Sequence, residues 1–133
     1  MIVVDTSVLI DLYAGSPGRT SNTVRKVVGS NVEWYAPSYQ PVELLNSLRA
    51  LVLGRKLSAA DAEAARKLYG LQTIAYIEVV GSVADRVWEL RNNLTAYDAA
   101  YVALAEALDC ALVTGDARLA AAPGLRCEVR VIR

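Results

Sequence analysis

Two periods of apolar residues alternate along this chain, and together they predict an α/β fold. Apolar runs of strand length lie at residues 1–4, 32–36, 73–80, 111–114 and 127–132. Between them, apolar residues recur at helical spacing. The first such segment carries Val8, Leu9, Ile10 and Leu12. A polar helix is expected at 21–28, and a helix with the stripe Val42, Leu44, Leu45, Leu48, Leu51 and Val52 follows. Further helices are expected at 58–69, 82–90, 96–108 and 116–121.

Local signals support these boundaries. Thr6 and Ser7 offer hydroxyls where the first helix begins, and Pro41 suits the first turn of the third. Ser58 followed by Asp61 reads as a capping-box start with the shorter acid. Gly15-Ser16-Pro17-Gly18, Gly54, Gly70 and Asn92-Asn93 read as breaks, and Pro37 is expected to stop the second strand. Strands alternating with helices imply right-handed crossovers. The expected architecture is a three-layer α/β/α sandwich around a mostly parallel sheet, with residues 41–69 projecting as a two-helix clip. Residues 1–133 form one domain by size.

Composition narrows the chemistry. The chain contains no His, which removes Ser-His-Asp catalysis and His-ligated zinc. Fourteen basic and fourteen acidic residues cancel, so any nucleic-acid contact must come from a local patch, and most of the cations are Arg. No run reaches the length of a membrane helix and no signal peptide is evident, so a cytoplasmic location is expected. A mean hydropathy of +0.28 is high for a small soluble domain and suggests a covered partner surface. Cys110 and Cys127 read as small buried residues near the starts of neighbouring strands, with a disulfide as the alternative.

The four acids Asp5, Glu43, Asp98 and Asp116 carry the functional signal. Asp5 ends the first strand, Glu43 and Asp98 lie in opening turns of helices, and Asp116 follows Ala111-Leu112-Val113. Each alone could serve as a helix cap or dipole partner. Asp98, however, sits in a helix that is apolar almost all round, where an unpaired ionised carboxylate costs several kcal/mol. In a parallel sheet all four belong to one crevice at the carboxyl ends of the strands. Like charges gathered there call for a cation, and an oxygen-only set suits Mg²⁺ or Mn²⁺. Asn46 shares a polar strip with Glu43 and could support it.

Four segments resemble the motifs of PIN domains: 2–10, Glu43-Leu44-Leu45-Asn46, 95–105, and Leu112-Val113-Thr114-Gly115-Asp116. The compact length is similar to VapC-type toxins of VapBC toxin–antitoxin pairs. The resemblance implies an Mg²⁺- or Mn²⁺-dependent endoribonuclease, a homodimer or higher even oligomer, held inactive by a VapB-type antitoxin. By resemblance Asp5, Glu43, Asp98 and Asp116 form the catalytic and metal set. Thr6, Ser7 and Thr114 carry over as supporting hydroxyls. Gly115 departs from the larger polar or basic residue often found in the family.

On this reading Asp5 and Asp98 take the inner metal shell. Glu43 binds directly or through water, and Asp116 helps a second ion that arrives with substrate. Arg49 and Arg118 are candidate RNA contacts. Tyr39, Tyr97 and Tyr101 could stack on bases, with core packing favoured for Tyr97 and Tyr101. The dimer is expected around Val83, Val87, Trp88 and Leu90 with Leu57, Leu68 and Tyr69. The antitoxin is expected to place a cation into the acidic pocket. The rivals are a metal-dependent phosphatase and a non-catalytic regulatory or interaction domain with a structural cation.

Overall fold

The computed structural model describes residues 1–15 and 32–132. The helix expected at 21–28 lies outside them. Five strands form one sheet: β1 (Ile2–Val4), β2 (Trp34–Pro37), β3 (Ile74–Ile77), β4 (Ala111–Thr114) and β5 (Val129–Val131). Their order is β3-β2-β1-β4-β5 and every pairing is parallel. The helices are α1 (Thr6–Ala14), α2 (Gln40–Leu53), α3 (Ala59–Leu71), α4 (Gly81–Glu89), α5 (Ala96–Ala107) and α6 (Ala117–Ala120).

Alternation along β1 divides the core. Ile2 and Val4 face Val8 and Leu9 of α1, Leu44 and Leu48 of α2, and Ala65 and Tyr69 of α3. Val3 faces the other way, against Leu90, the buried face of α5 and Leu119 of α6. Helices thus cover both faces of the sheet, as an all-parallel sheet requires. Helix α5 is buried from Ala99 through Ala105, which suits its run of small residues against the strands.

Several expectations change at this level. The stripe on α2 narrows to Leu44 and Leu48, because only α1 and α3 cover the helix; Val42 and Leu45 are exposed. Gly70 passes inside α3, and the helix stops at Gln72. Pro37 is the last residue of β2 rather than a stop before it. Tyr69 and Leu90 belong to the core, and Val87 packs against it, so the apolar surplus on α4 reduces to Trp88, which is 68% exposed under the Arg91 guanidinium.

Candidate functional site

The connection order places β1 between β2 and β4, so the chain switches direction along the sheet between β1 and β4. A crevice opens at such a point, outside the carboxyl ends of the strands. Asp5 follows β1 on one side of it. Thr114 ends β4 on the other, and Asp116 caps α6 just beyond.

Hydroxyl groups, not cations, hold Asp5. Its Oδ2 accepts from Ser7 Oγ at 2.9 Å and from Thr114 Oγ1 at 2.7 Å. The Asp5 amide donates to the Val113 carbonyl at 2.9 Å, which locks the residue against β4. Burial pushes the Asp5 carboxyl above its ordinary range, and the nearby Glu43 adds to that; the two hydroxyl donors offset only part of it. Ser7 Oγ also accepts the Gly115 amide at 2.9 Å, and Thr114 Oγ1 accepts the Asp116 amide at 3.0 Å. The β4–α6 turn is thereby fixed to the start of α1.

Glu43 is reached from the other wall. Its Oε1 accepts from the Thr6 hydroxyl and from Tyr101 Oη at 2.8 Å. Thr6 and Tyr101 also bond to each other at 2.8 Å. Sequence reasoning offered Tyr101 to the core or to a base; it is buried there, but its hydroxyl serves Glu43. Asp98 stands in the first turn of α5, its amide capped by Thr95 Oγ1 at 3.3 Å. Burial raises its carboxyl first, then the charges of Asp5 and Asp116. Asp116 accepts the Arg118 amide at 2.9 Å, with the exposed Arg118 guanidinium 3.5 Å away. Asp5, Glu43, Asp98 and Asp116 thus share one electrostatic neighbourhood. No three carboxylates are gathered tightly enough to form a closed cation cage among the described residues.

Other candidates fall elsewhere. Arg49 is exposed and lines the groove between α2 and α3 with Leu45, Val52 and Arg66, away from the acids. Asn46 is exposed, with no hydrogen bond to the four acids among the described residues. Tyr97 is 65% exposed, edge-on to Tyr39, and its carbonyl accepts the Tyr39 hydroxyl.

One residue at the site escaped sequence reasoning. Gln40 is fully buried. The register Ile2↔Trp34 and Val3↔Tyr35 would deliver the amide of residue 37 to the Val4 carbonyl, but residue 37 is proline and has no N–H. Gln40 Nε2 supplies the missing donor at 2.7 Å and also reaches Tyr101 Oη at 3.3 Å. Its Oε1 accepts from Tyr69, whose hydroxyl meets that of Tyr76. The signal in the sequence is Pro37 inside a strand, with a side-chain donor three positions on. Asp11 and Lys56 line a cleft with Ser7 and Gly115, and burial raises the Asp11 carboxyl.

Known proteins resemble this chain over nearly its full length. The PIN domain family model matches residues 2–125. Ribonuclease VapC1 of Mycobacterium tuberculosis is 38% identical over 98% of this chain and 97% of its own length. FitAcB from Neisseria gonorrhoeae superposes with a TM-score of 0.69 at 17% identity, covering 98% of this chain and 96% of that one. A toxin–antitoxin complex from Klebsiella pneumoniae gives 0.59 at 18% identity, covering 87% of each chain.

Proposed function

We propose that this chain, which belongs to the PIN domain family, is an RNA-cleaving hydrolase of the VapC kind, dependent on a divalent cation and restrained by a protein antitoxin. One observation carries the reading: Asp5 is a largely buried carboxylate held by hydroxyls and a backbone N–H, with no cation beside it among the described residues, near three further acids at the switch between β1 and β4. A structural carboxylate of that kind would normally be matched by Arg or Lys. The unmatched charge favours a nuclease over a purely structural cap.

The residues present fit a hard divalent cation. The four acids and the hydroxyls that hold them offer oxygen, and burial raises the Asp5 and Asp98 carboxyls, so a cation there would favour their charged forms. Mg²⁺ keeps several waters and takes one or two carboxylates plus substrate phosphate, so it does not require a closed carboxylate cage. Asp5 and Asp98 are the proposed inner ligands, with Glu43 direct or through water and Asp116 outermost. When bound, the cation acidifies a water and neutralises charge on the phosphate.

The chain's own groups do the rest. Ser7 and Thr114 fix the Asp5 carboxylate in one rotamer, and Thr6 and Tyr101 do the same for Glu43. Such preorganisation removes the cost of ordering acids as substrate binds. Arg118, 94% exposed beside Asp116, is the proposed phosphate contact, in preference to Arg49 in the groove between α2 and α3. In hydrolysis the oxygen of water bonds to phosphorus, the bond to the leaving ribose oxygen breaks, and that oxygen takes a proton. The antitoxin is proposed to place a cation among the same acids, competing for their charge.

Purified protein incubated with labelled RNA tests this directly. Cleavage should require Mg²⁺ or Mn²⁺, stop with EDTA and return when metal is restored. Undiminished cleavage in EDTA, with contaminating nucleases excluded, would sink the mechanism.

A further inference from the structure

At the opposite end of the sheet, Cys110 and Cys127 stand as a pair that the nuclease reading does not use. The β4–β5 register pairs Leu112 with Val129, and Leu112 N–H donates to the Glu128 carbonyl at 2.9 Å. Cys110 immediately precedes β4 and Cys127 lies two residues before β5, so both flank the same end of one strand pair. Neighbouring strands lie about 4.8 Å apart, a spacing within the Cα separation a disulfide accepts. Both thiols pack against the same core cluster, and both line one cleft of about 580 Å³ with Met1, Asp109, Arg126 and Arg130.

The segment that carries Cys127 is anchored. Glu106 of α5 accepts the Arg126 amide at 2.8 Å and the Arg86 guanidinium at 2.7 Å. Arg86 also donates to the Gly124 carbonyl at 2.6 Å. On the other strand the Cys110 amide donates to the Ala105 carbonyl at 3.0 Å. The two thiols are therefore held at one end of the β4–β5 pair by backbone that is already anchored.

We infer that Cys110 and Cys127 form a reversible dithiol site, closed to an intramolecular disulfide by small-molecule disulfides. In the first step one thiolate attacks the disulfide RS–SR, forming a protein–SR bond and releasing RS⁻. In the second, the other thiolate attacks the protein sulfur of that bond and releases the second RS⁻. Two protein thiols and one RS–SR thus become one protein disulfide and two RSH. Burial raises both thiols, Cys127 to about 11, so closure is favoured at alkaline pH.

The ring so formed contains Thr114, Gly115 and Asp116 and ties β4 to β5, a short edge strand at the end of the chain. Strand β5 supports the nuclease side as well, because the Ile132 amide donates to the Thr114 carbonyl at 2.8 Å. Closure should protect that edge from fraying.

The test uses the reduced full-length chain, incubated with oxidised glutathione at alkaline pH, then denatured, alkylated with N-ethylmaleimide and weighed intact. The expected product is a monomeric chain lighter by two hydrogens, with no maleimide and no glutathione attached. Its melting midpoint should rise by roughly 10 °C and fall back on reduction. Cys110→Ser and Cys127→Ser should each stop at a single glutathione adduct or stay free. Two maleimides per chain in the wild type, a stable double glutathione adduct, or disulfide-linked chains would each overturn the inference. The readout is mass, so it stands whether or not the chain cleaves RNA.

Discussion

Replacing Gln40 with leucine should destabilise the sheet at the point where β1 delivers Asp5. Leucine keeps much of the volume but donates nothing. The Val4 carbonyl, which faces proline across the ladder, then loses its only donor among the described residues. An orphaned buried carbonyl costs about 1–3 kcal/mol. The other partners suffer less: Tyr101 keeps Thr6 and Glu43, and Tyr69 keeps Tyr76, so their loss adds roughly 0.5 kcal/mol. A total of about 2–3 kcal/mol corresponds to a fall of about 6–15 °C in the melting midpoint. Pro37→Ala supplies the backbone N–H that the ladder lacks. Alone it should change stability by less than about 1 kcal/mol, because Gln40 already serves that carbonyl. In the Gln40→Leu background it should recover about 1–2 kcal/mol. Urea unfolding of the four forms measures the coupling. Additivity within about 0.5 kcal/mol would refute the claim that Gln40 substitutes for the missing proline N–H.

Asp98→Asn should abolish cleavage yet stabilise the metal-free fold by about 1 kcal/mol after solvent screening. Its folded-state pKa is raised, so the native state favours the protonated form; the wild type gains stability below the ordinary carboxylate range and loses it as pH rises. The advantage of Asp98→Asn in EDTA melts should therefore grow as pH rises through and above the ordinary carboxylate range and vanish below it, and a lower midpoint at neutral pH would mark Asp98 as a structural partner. Gly115→Ala sets a methyl 3.3 Å from Ser7 Oγ and 3.5 Å from Asp11 Oδ2. The Ser7 hydroxyl must shift away from Asp5, so kcat should fall several-fold with stability changed by less than about 1 kcal/mol; unchanged kcat would show that Ser7 does not position Asp5. Light scattering at micromolar concentration should give a homodimer, shifted toward monomer by Trp88→Glu; a wild-type monomer would remove the exposed Trp88 surface as the dimer contact.

The acids were legible because their cost is legible. Asp98 stands in Ala-Tyr-Asp-Ala-Ala-Tyr, where no bland helix needs a charge, and Asp5 ends an apolar strand whose direction fixes the crevice. Strand order followed less directly, since period alone does not say which strand lies beside β1. The outward face of α2 was misjudged for a related reason. Spacing shows that Val42 and Leu45 share a stripe with Leu44 and Leu48, but not how much of it a neighbouring helix covers. Tyr101 lies in the core as expected, but its hydroxyl bonds, like those of Gln40, join residues 29 to 95 positions apart, which spacing does not show. Arg49 lines the groove between α2 and α3, a position that the spacing from Glu43 did not show.

Calorimetric titration of the metal-free protein with Mn²⁺ tests most directly whether the acidic set holds the cation. Wild type and Arg49→Ala should bind with the same affinity, while Asp5→Asn and Asp98→Asn should each weaken binding by at least about tenfold without loss of fold. Equal Mn²⁺ affinity in wild type, Asp5→Asn and Asp98→Asn would contradict the account.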